Sequence, residues 1–256
     1  MLGRTKLVIS EGIHKLNFVN AIDDSSLQPV VDELKTSGIY IMESFLPESV
    51  CDELVAAADE ALEEFKDNVK AESEGSDLRI YGVDRLTDRF TVPEVQRVSD
   101  YMFKQFSFSS EINKFLLLGK ITADPRNLGS GSGWHRDSPI RHQFKTLLFL
   151  SDVTEESGPF EYIVGSHRYG SVLRCAKFLD KSVSTMRFTP EEMDRLVEAG
   201  VEPKPTRYPA PKGTLAFVDT RGLHRGAPLV SGSRYALTNY YFSGKVSDHF
   251  FSNGKH

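Results

Sequence analysis

His135 and Asp137 stand two residues apart in GWHRDS, so on an extended segment both side chains fall on one face and Arg136 on the other. An imidazole and a carboxylate held this way can take two adjacent corners of a metal's coordination sphere. His224, in TRGLHRGAP directly after the apolar stretch TLAFVD, offers a third ligand from a rigid strand end. Two histidines and one carboxylate leave open positions on an octahedral metal, the facial arrangement that suits non-haem Fe(II) and oxygen activation. The same three groups around zinc, with an activated water, would suit a hydrolase instead. Arg234 opens the stretch RYALTNYYF. A lone guanidinium on an apolar strand needs a carboxylate or an exit to solvent, and a dicarboxylate co-substrate would meet that need as a bidentate pair.

These groups must be positioned by elements whose texture changes along the chain. The first half reads mostly helical. GIYIMESF (38–45) is a strand candidate, and after Pro47 the residues Leu54, Ala58, Leu62, Phe65 and Val69 recur at helical spacing. A second helix is expected after Pro93, with Val95, Val98 and Met102 on one side, and a third over residues 110–118. The polar stretch AESEGSDLRIYGVDRLTD (71–88) reads as loop. Beyond Lys120, the segments KTLLFLSDV, PFEYIV, GTLAFVDT and RYALTNYYF are short, rich in β-branched or aromatic residues, and bounded by Gly, Pro and Ser, the texture of β-strands. One helix is expected among them, announced by the Thr189 to Glu192 capping-box spacing and closed by Gly200. Helices followed by strands argue for an α+β fold, a single domain over 1–256 with a mainly helical support at 1–119 and a β core at 120–243.

The totals bound the function. The chain has 256 residues, 39% of them hydrophobic, enough for a substantial core. With 31 basic against 36 acidic residues it has no basic footprint for a phosphate backbone, so nucleic acid is an unfavoured partner. Cys51, near a helix start, and Cys175, placed after a loop, suggest no disulfide framework. No apolar run approaches membrane-spanning length, and the expectation is a soluble protein of a reducing, cytoplasmic setting with no membrane partner.

In combination, GWHRDS, KTLLFLSDVTEESGPFEYIVGSH and GTLAFVDTRGLHRGAPLVSGSRYALTNYYF resemble the phytanoyl-CoA dioxygenase family of Fe(II)- and 2-oxoglutarate-dependent oxygenases. The resemblance covers roughly residues 120–243, and FLPESVCDELV fits the family's N-terminal region more loosely. It implies a double-stranded β-helix, a cupin-like jelly roll buttressed by N-terminal helices. It also implies that His135, Asp137 and His224 are catalytic iron ligands and that Arg234 holds the far carboxylate of 2-oxoglutarate. Lys120 and Thr122 become the nearest candidates for a further co-substrate contact. The activity implied is oxidation of a small-molecule substrate by O2, most simply hydroxylation, coupled to decarboxylation of 2-oxoglutarate to succinate. Asp137 favours that outcome over halogenation, for which related enzymes vacate the carboxylate position. The alternatives are a binding or regulatory protein without turnover on the same fold, and the zinc hydrolase above.

The loop GSGSG ahead of Trp134 would then close over the iron, with Trp134 as a wall of the substrate site. Arg136 and His142 are further substrate candidates. Arg136, Arg141, Arg221 and Arg225 lie near the ligands in sequence, which would suit an anionic or sugar-like substrate. His167 matches a family motif in which it is structural, and His14, His249 and His256 fall in terminal segments.

Overall fold

The computed structural model describes residues 26–106, 111–141 and 143–251. Among these residues are five α-helices: α1 (Gln28–Ser37), α2 (Glu48–Glu64), α3 (Pro93–Lys104), α4 (Tyr169–Leu179) and α5 (Pro190–Glu198). The strands are β1 (Ile39–Met42), β2 (Val69–Glu72), β3 (Asp77–Tyr81), β4 (Asn113–Thr122), β5 (Gln143–Phe149), β6 (Phe160–Tyr162), β7 (Thr206–Tyr208), β8 (Leu215–Asp219), β9 (His224–Gly226) and β10 (Ser233–Phe242). They form a seven-stranded sheet in the order β1-β8-β5-β10-β4-β3-β2 and a three-stranded sheet β7-β6-β9, every pairing antiparallel. The two sheets face one another as the layers of a jelly roll. No helix among the described residues is long and apolar enough to cross a membrane.

The period-two alternation of the large sheet divides its side chains into two sets. Leu116 and Leu118 of β4, Phe144 and Leu148 of β5, and Leu237 and Tyr241 of β10 join Val31, Leu34, Leu54, Ala58, Val98 and Met102 in one core under α1, α2 and α3. The alternate set, including Leu117, Gly119, Ile121, Lys145, Leu147, Arg234 and Thr238, faces the small sheet and lines a cavity. Phe149, Ala216 and Val218 meet Phe160 and Tyr162 to close the space between the sheets at one end. The helices therefore brace one face of the sheet so that the other can carry chemistry.

Three elements differ from the sequence expectation. The expected helix at 110–118 is strand β4 from Asn113 onward, while residue 110 lies outside the described residues. The run FLLLGKI is apolar on both faces because β4 is flanked by β3 and β10, sandwiched between helices and cavity, and such a run has no period by which strand and helix differ. The expected loop at 71–88 contains β3, paired to β4, and the second half of β2. The first half thus contributes four strands to the large sheet, so the division into a helical support and a β core does not fall at residue 119. In the second half two helices interrupt the strands, and Cys175 is buried within α4 instead of following a loop. The capping box at α5 forms as expected, Thr189 Oγ1 accepting from Glu192 N at 3.2 Å and Glu192 accepting from Thr189 N at 3.0 Å.

Candidate functional site

The segment 134–137, outside the named strands, is clamped on both sides by backbone hydrogen bonds and two isolated bridges at His135. His135 exchanges backbone hydrogen bonds with His224 (3.0 and 2.9 Å), and Asp137 N donates to Thr220 O at 2.9 Å. On the other edge Arg136 N donates to Met186 O (2.8 Å) and Phe188 N to Trp134 O (3.0 Å). This pairing brings together three residues distant in the chain. The ligand atoms of His135, Asp137 and His224 all lie within 4.8 Å of one another.

Each imidazole is fixed in one tautomer. His135 Nδ1 donates to the Gly133 carbonyl and His224 Nδ1 to the Gly222 carbonyl, both at 2.9 Å, leaving each Nε2 lone pair free for a cation. Burial, then repulsion by His135, pushes the His224 imidazole down to about 3, and burial also lowers His135. Both are neutral near pH 7. Burial acts to raise Asp137, yet Lys145 and the two imidazoles outweigh it and hold the carboxyl below its usual range. Lys145 Nζ lies 2.6 Å from Asp137 Oδ2 as a close ion pair without the alignment of a hydrogen bond. Two neutral imidazoles and one ionised carboxylate, with a carboxylate oxygen not committed to a hydrogen bond, form a donor set that fits a divalent transition metal.

The three side chains open into a cavity of about 350 Å³ between the sheets. Arg234 lines it, 6% exposed, its guanidinium hydrogen-bonded to the Gly158 carbonyl, and burial pushes its pKa down to about 10. Gly226 leaves room beside it, since a Cβ there would stand 3.0 Å from Arg234 Nη2. The guanidinium is thus desolvated and poorly paired, in the same cavity as the triad, and is suited to receive a carboxylate.

Other expected site residues point elsewhere. The pleat that turns Gly119 and Ile121 toward the cavity turns Lys120 and Thr122 away: Lys120 pairs with Asp59 at 2.8 Å, and Thr122, exposed, meets Ser233 at 3.3 Å. Trp134 packs with Ile163, Phe188, Met193 and Leu196 beneath α4 and α5, under the Arg225 guanidinium, and is no wall of the cavity. Arg136 is 1% exposed, donating to the Ser166 and Arg221 carbonyls (both 2.5 Å) and to Ser171 Oγ (3.0 Å). It anchors the ligand-bearing segment from behind. Arg221 pairs with Asp219, and Arg225 with Glu161, so neither supplies the cavity with an anion site. His142 lies outside the described residues, as do His14 and His256. His167 Nε2 donates to the Lys35 carbonyl at 3.1 Å, a structural contact.

The glycine and serine loop is tied down. Gly226 N donates to Ser130 O (3.0 Å), Gly129 N to Asn127 Oδ1 (2.9 Å) and Arg187 to Gly131 O (2.5 Å). Gly131 adopts φ +85° against the His135 ring, where a Cβ would stand 2.1 Å from Cε1. The glycine is required for the loop to support the imidazole.

Sequence reading missed Lys145 and the pair Arg79–Asp77. Arg79 lines the cavity on β3, gripping Asp77 at 2.8 and 2.6 Å. Its segment read as a loop, which concealed its direction. Lys145 had a signal, a single cation at the head of the apolar strand KTLLFL, but its alternation with Leu147 and Phe149 points inward only once the inner face is known.

Two antiparallel sheets enclosing a two-histidine, one-carboxylate site define the jelly-roll metalloprotein class to which non-haem iron oxygenases belong. The chain belongs to the phytanoyl-CoA dioxygenase (PhyH) family, whose profile matches residues 34–235. No curated protein matches it. Among solved structures it is similar to the epimerase SnoN in complex with Fe3+, alpha ketoglutarate and nogalamycin RO (15% identity, 91% of this chain and 93% of that one, TM-score 0.64). It is also similar to the non-heme alpha ketoglutarate dependent carbocyclase SnoK from nogalamycin biosynthesis (17%, 90% of each chain, 0.63). A third is HygX from Streptomyces hygroscopicus with nickel, 2-oxoglutarate and hygromycin B bound (15%, 84% and 86%, 0.52). At these identities the likeness is one of fold.

Proposed function

We propose that the protein is an Fe(II)- and 2-oxoglutarate-dependent oxygenase that oxidises a C–H bond of a small molecule, with hydroxylation as the outcome. The observation that carries this reading is the convergence of His135, Asp137 and His224 in one cavity with the buried, underpaired Arg234. The family and the metal and 2-oxoglutarate bound in structural neighbours support it.

In this reading the imidazole Nε2 atoms and the Asp137 carboxylate hold the metal, and Arg234 receives the far carboxylate of the co-substrate. Fe(II) chelated by 2-oxoglutarate supplies oxygen activation coupled to decarboxylation of the co-substrate to succinate. The chain's own part is to orient the donors through the Gly133 and Gly222 carbonyls and to keep water from the reacting atoms. Arg234 separates this reading from a zinc hydrolase, which needs no second carboxylate anchor.

The test is oxygen-dependent succinate formation from 2-oxoglutarate by the iron-loaded protein. Asp137→Ala is expected to abolish it. Arg234→Ala is expected to raise the 2-oxoglutarate requirement at least tenfold while leaving metal affinity within a few-fold, in line with the loss of a charge-assisted bidentate pair. Wild-type protein that binds metal and forms no succinate would leave a binding protein as the better description.

A further inference from the structure

The charges of the cavity do not close. Among the ionised side chains that line its buried part, Asp77 and Arg79 satisfy each other, leaving Asp137, Lys145 and Arg234. On the functional reading above, Asp137 and one co-substrate carboxylate together match a dication, and Arg234 matches the other carboxylate. Lys145 then has to share its counter-charge, because the carboxylate whose Oδ2 lies 2.6 Å from its Nζ in this structure also serves the metal. The Lys145 side chain is only 10% exposed, and its ammonium sits 4.3 Å from the centre of the Tyr240 ring, a favourable but uncharged neighbour. At the open rim, Glu72 and Arg187 carry opposite charges, with Glu72 3.6 Å from Arg79 and Arg187 bonded to Gly131 O. A buried ammonium that shares its one anion with a dication is costly, and it has three N–H donors to satisfy.

Resting on that reading, we infer that the substrate carries a carboxylate or similar oxyanion, and that Lys145 receives it beside the metal. Lys145 is then a specificity-determining residue. The anion completes the charge balance only when metal and co-substrate are in place, which favours substrate binding after both. Of the arginines that flank the ligands in sequence, Arg136, Arg221 and Arg225 are committed elsewhere and play no part in this recognition.

The probe is acetate against acetamide, which matches it in size without the charge. Each is titrated at constant ionic strength into full-length protein loaded anaerobically with Fe(II) and 2-oxoglutarate, with the visible absorption of the chelate as reporter. Acetate is expected to perturb the band saturably and acetamide to leave it unchanged. Lys145→Met is expected to retain the band and weaken the acetate response at least tenfold, and Lys145→Arg to keep the response within a few-fold. Lys145→Gln serves the same purpose should the methionine variant not fold. Equal responses to acetate and acetamide would overturn the proposal, as would an undiminished acetate response in Lys145→Met. Loss of the band in Lys145→Met would also overturn it, assigning Lys145 to co-substrate loading. A wild-type protein that forms no band before any probe is added overturns the functional reading itself, and this proposal with it.

Discussion

Burial holds the His224 imidazole neutral, and its depressed pKa has a consequence for stability. Its folded value, about 3, lies below the ordinary 6.5, so the unfolded chain takes up a proton as pH falls through 6.5 and the folded chain does not. Stability from this group is present above that window and is lost as pH falls. Asp137, held below its ordinary value, acts in the same direction at lower pH. Urea melts of the metal-free protein at pH 7 and pH 5 are therefore expected to differ by about 2 kcal/mol from His224 alone. His224→Leu is expected to flatten that dependence, and an unchanged slope would mean the imidazole is not buried neutral. At this scale the triad was legible because a strand's period of two fixes His135 and Asp137 on one face and Arg136 on the other. Lys120 and Thr122, named from the family resemblance as the nearest candidates for a co-substrate contact, fall on the outward parity of β4, and Ile121 and Gly119 are the residues that look into the cavity. Trp134 shares the parity of Arg136, so it packs behind the ligand segment with the residues beneath α4 and α5.

At the scale of elements, the loop 129–133 and strand β4 hold the site in shape. Gly131→Ala would drive a methyl group into the His135 ring, in a backbone conformation that disfavours alanine, and is expected to weaken Mn(II) affinity at least tenfold by calorimetry while the fold remains. An unaltered affinity would show that the loop yields without moving the imidazole. Thr189→Ala removes half of the α5 capping box and is expected to cost about 1 kcal/mol in chemical denaturation, with no effect on metal affinity. The strands bounded closely by Gly, Pro or Ser, such as β8 and β10, could be read from sequence even though β8 is buried on both faces. β4 could not, since burial on both faces erases the polar half of the pattern; nor could β2 and β3, whose polar residues gain strand geometry from pairing with β4. Arg79 and Asp77 were hidden for that reason alone.

On the scale of the whole molecule, three helices brace one face of a seven-stranded sheet, and the opposite face, closed by the smaller sheet, carries the chemistry. A metal that binds only the folded chain stabilises it by mass action. Mn(II) at a hundred times its dissociation constant is expected to add about 2.7 kcal/mol, read as a rise in Tm, and Asp137→Ala is expected to show none of that rise. The jelly-roll architecture was legible from short punctuated strands and family resemblance, whereas the share of the sheet contributed by the first half depended on pairings between segments distant in sequence. The most direct measurement of the central claim is the visible spectrum of the protein under anaerobic conditions as Fe(II) and then 2-oxoglutarate are added. A weak charge-transfer band that requires both, and is absent in Asp137→Ala, is the expected result. A well-folded wild-type protein that develops no such band at saturating concentrations of both would contradict the account.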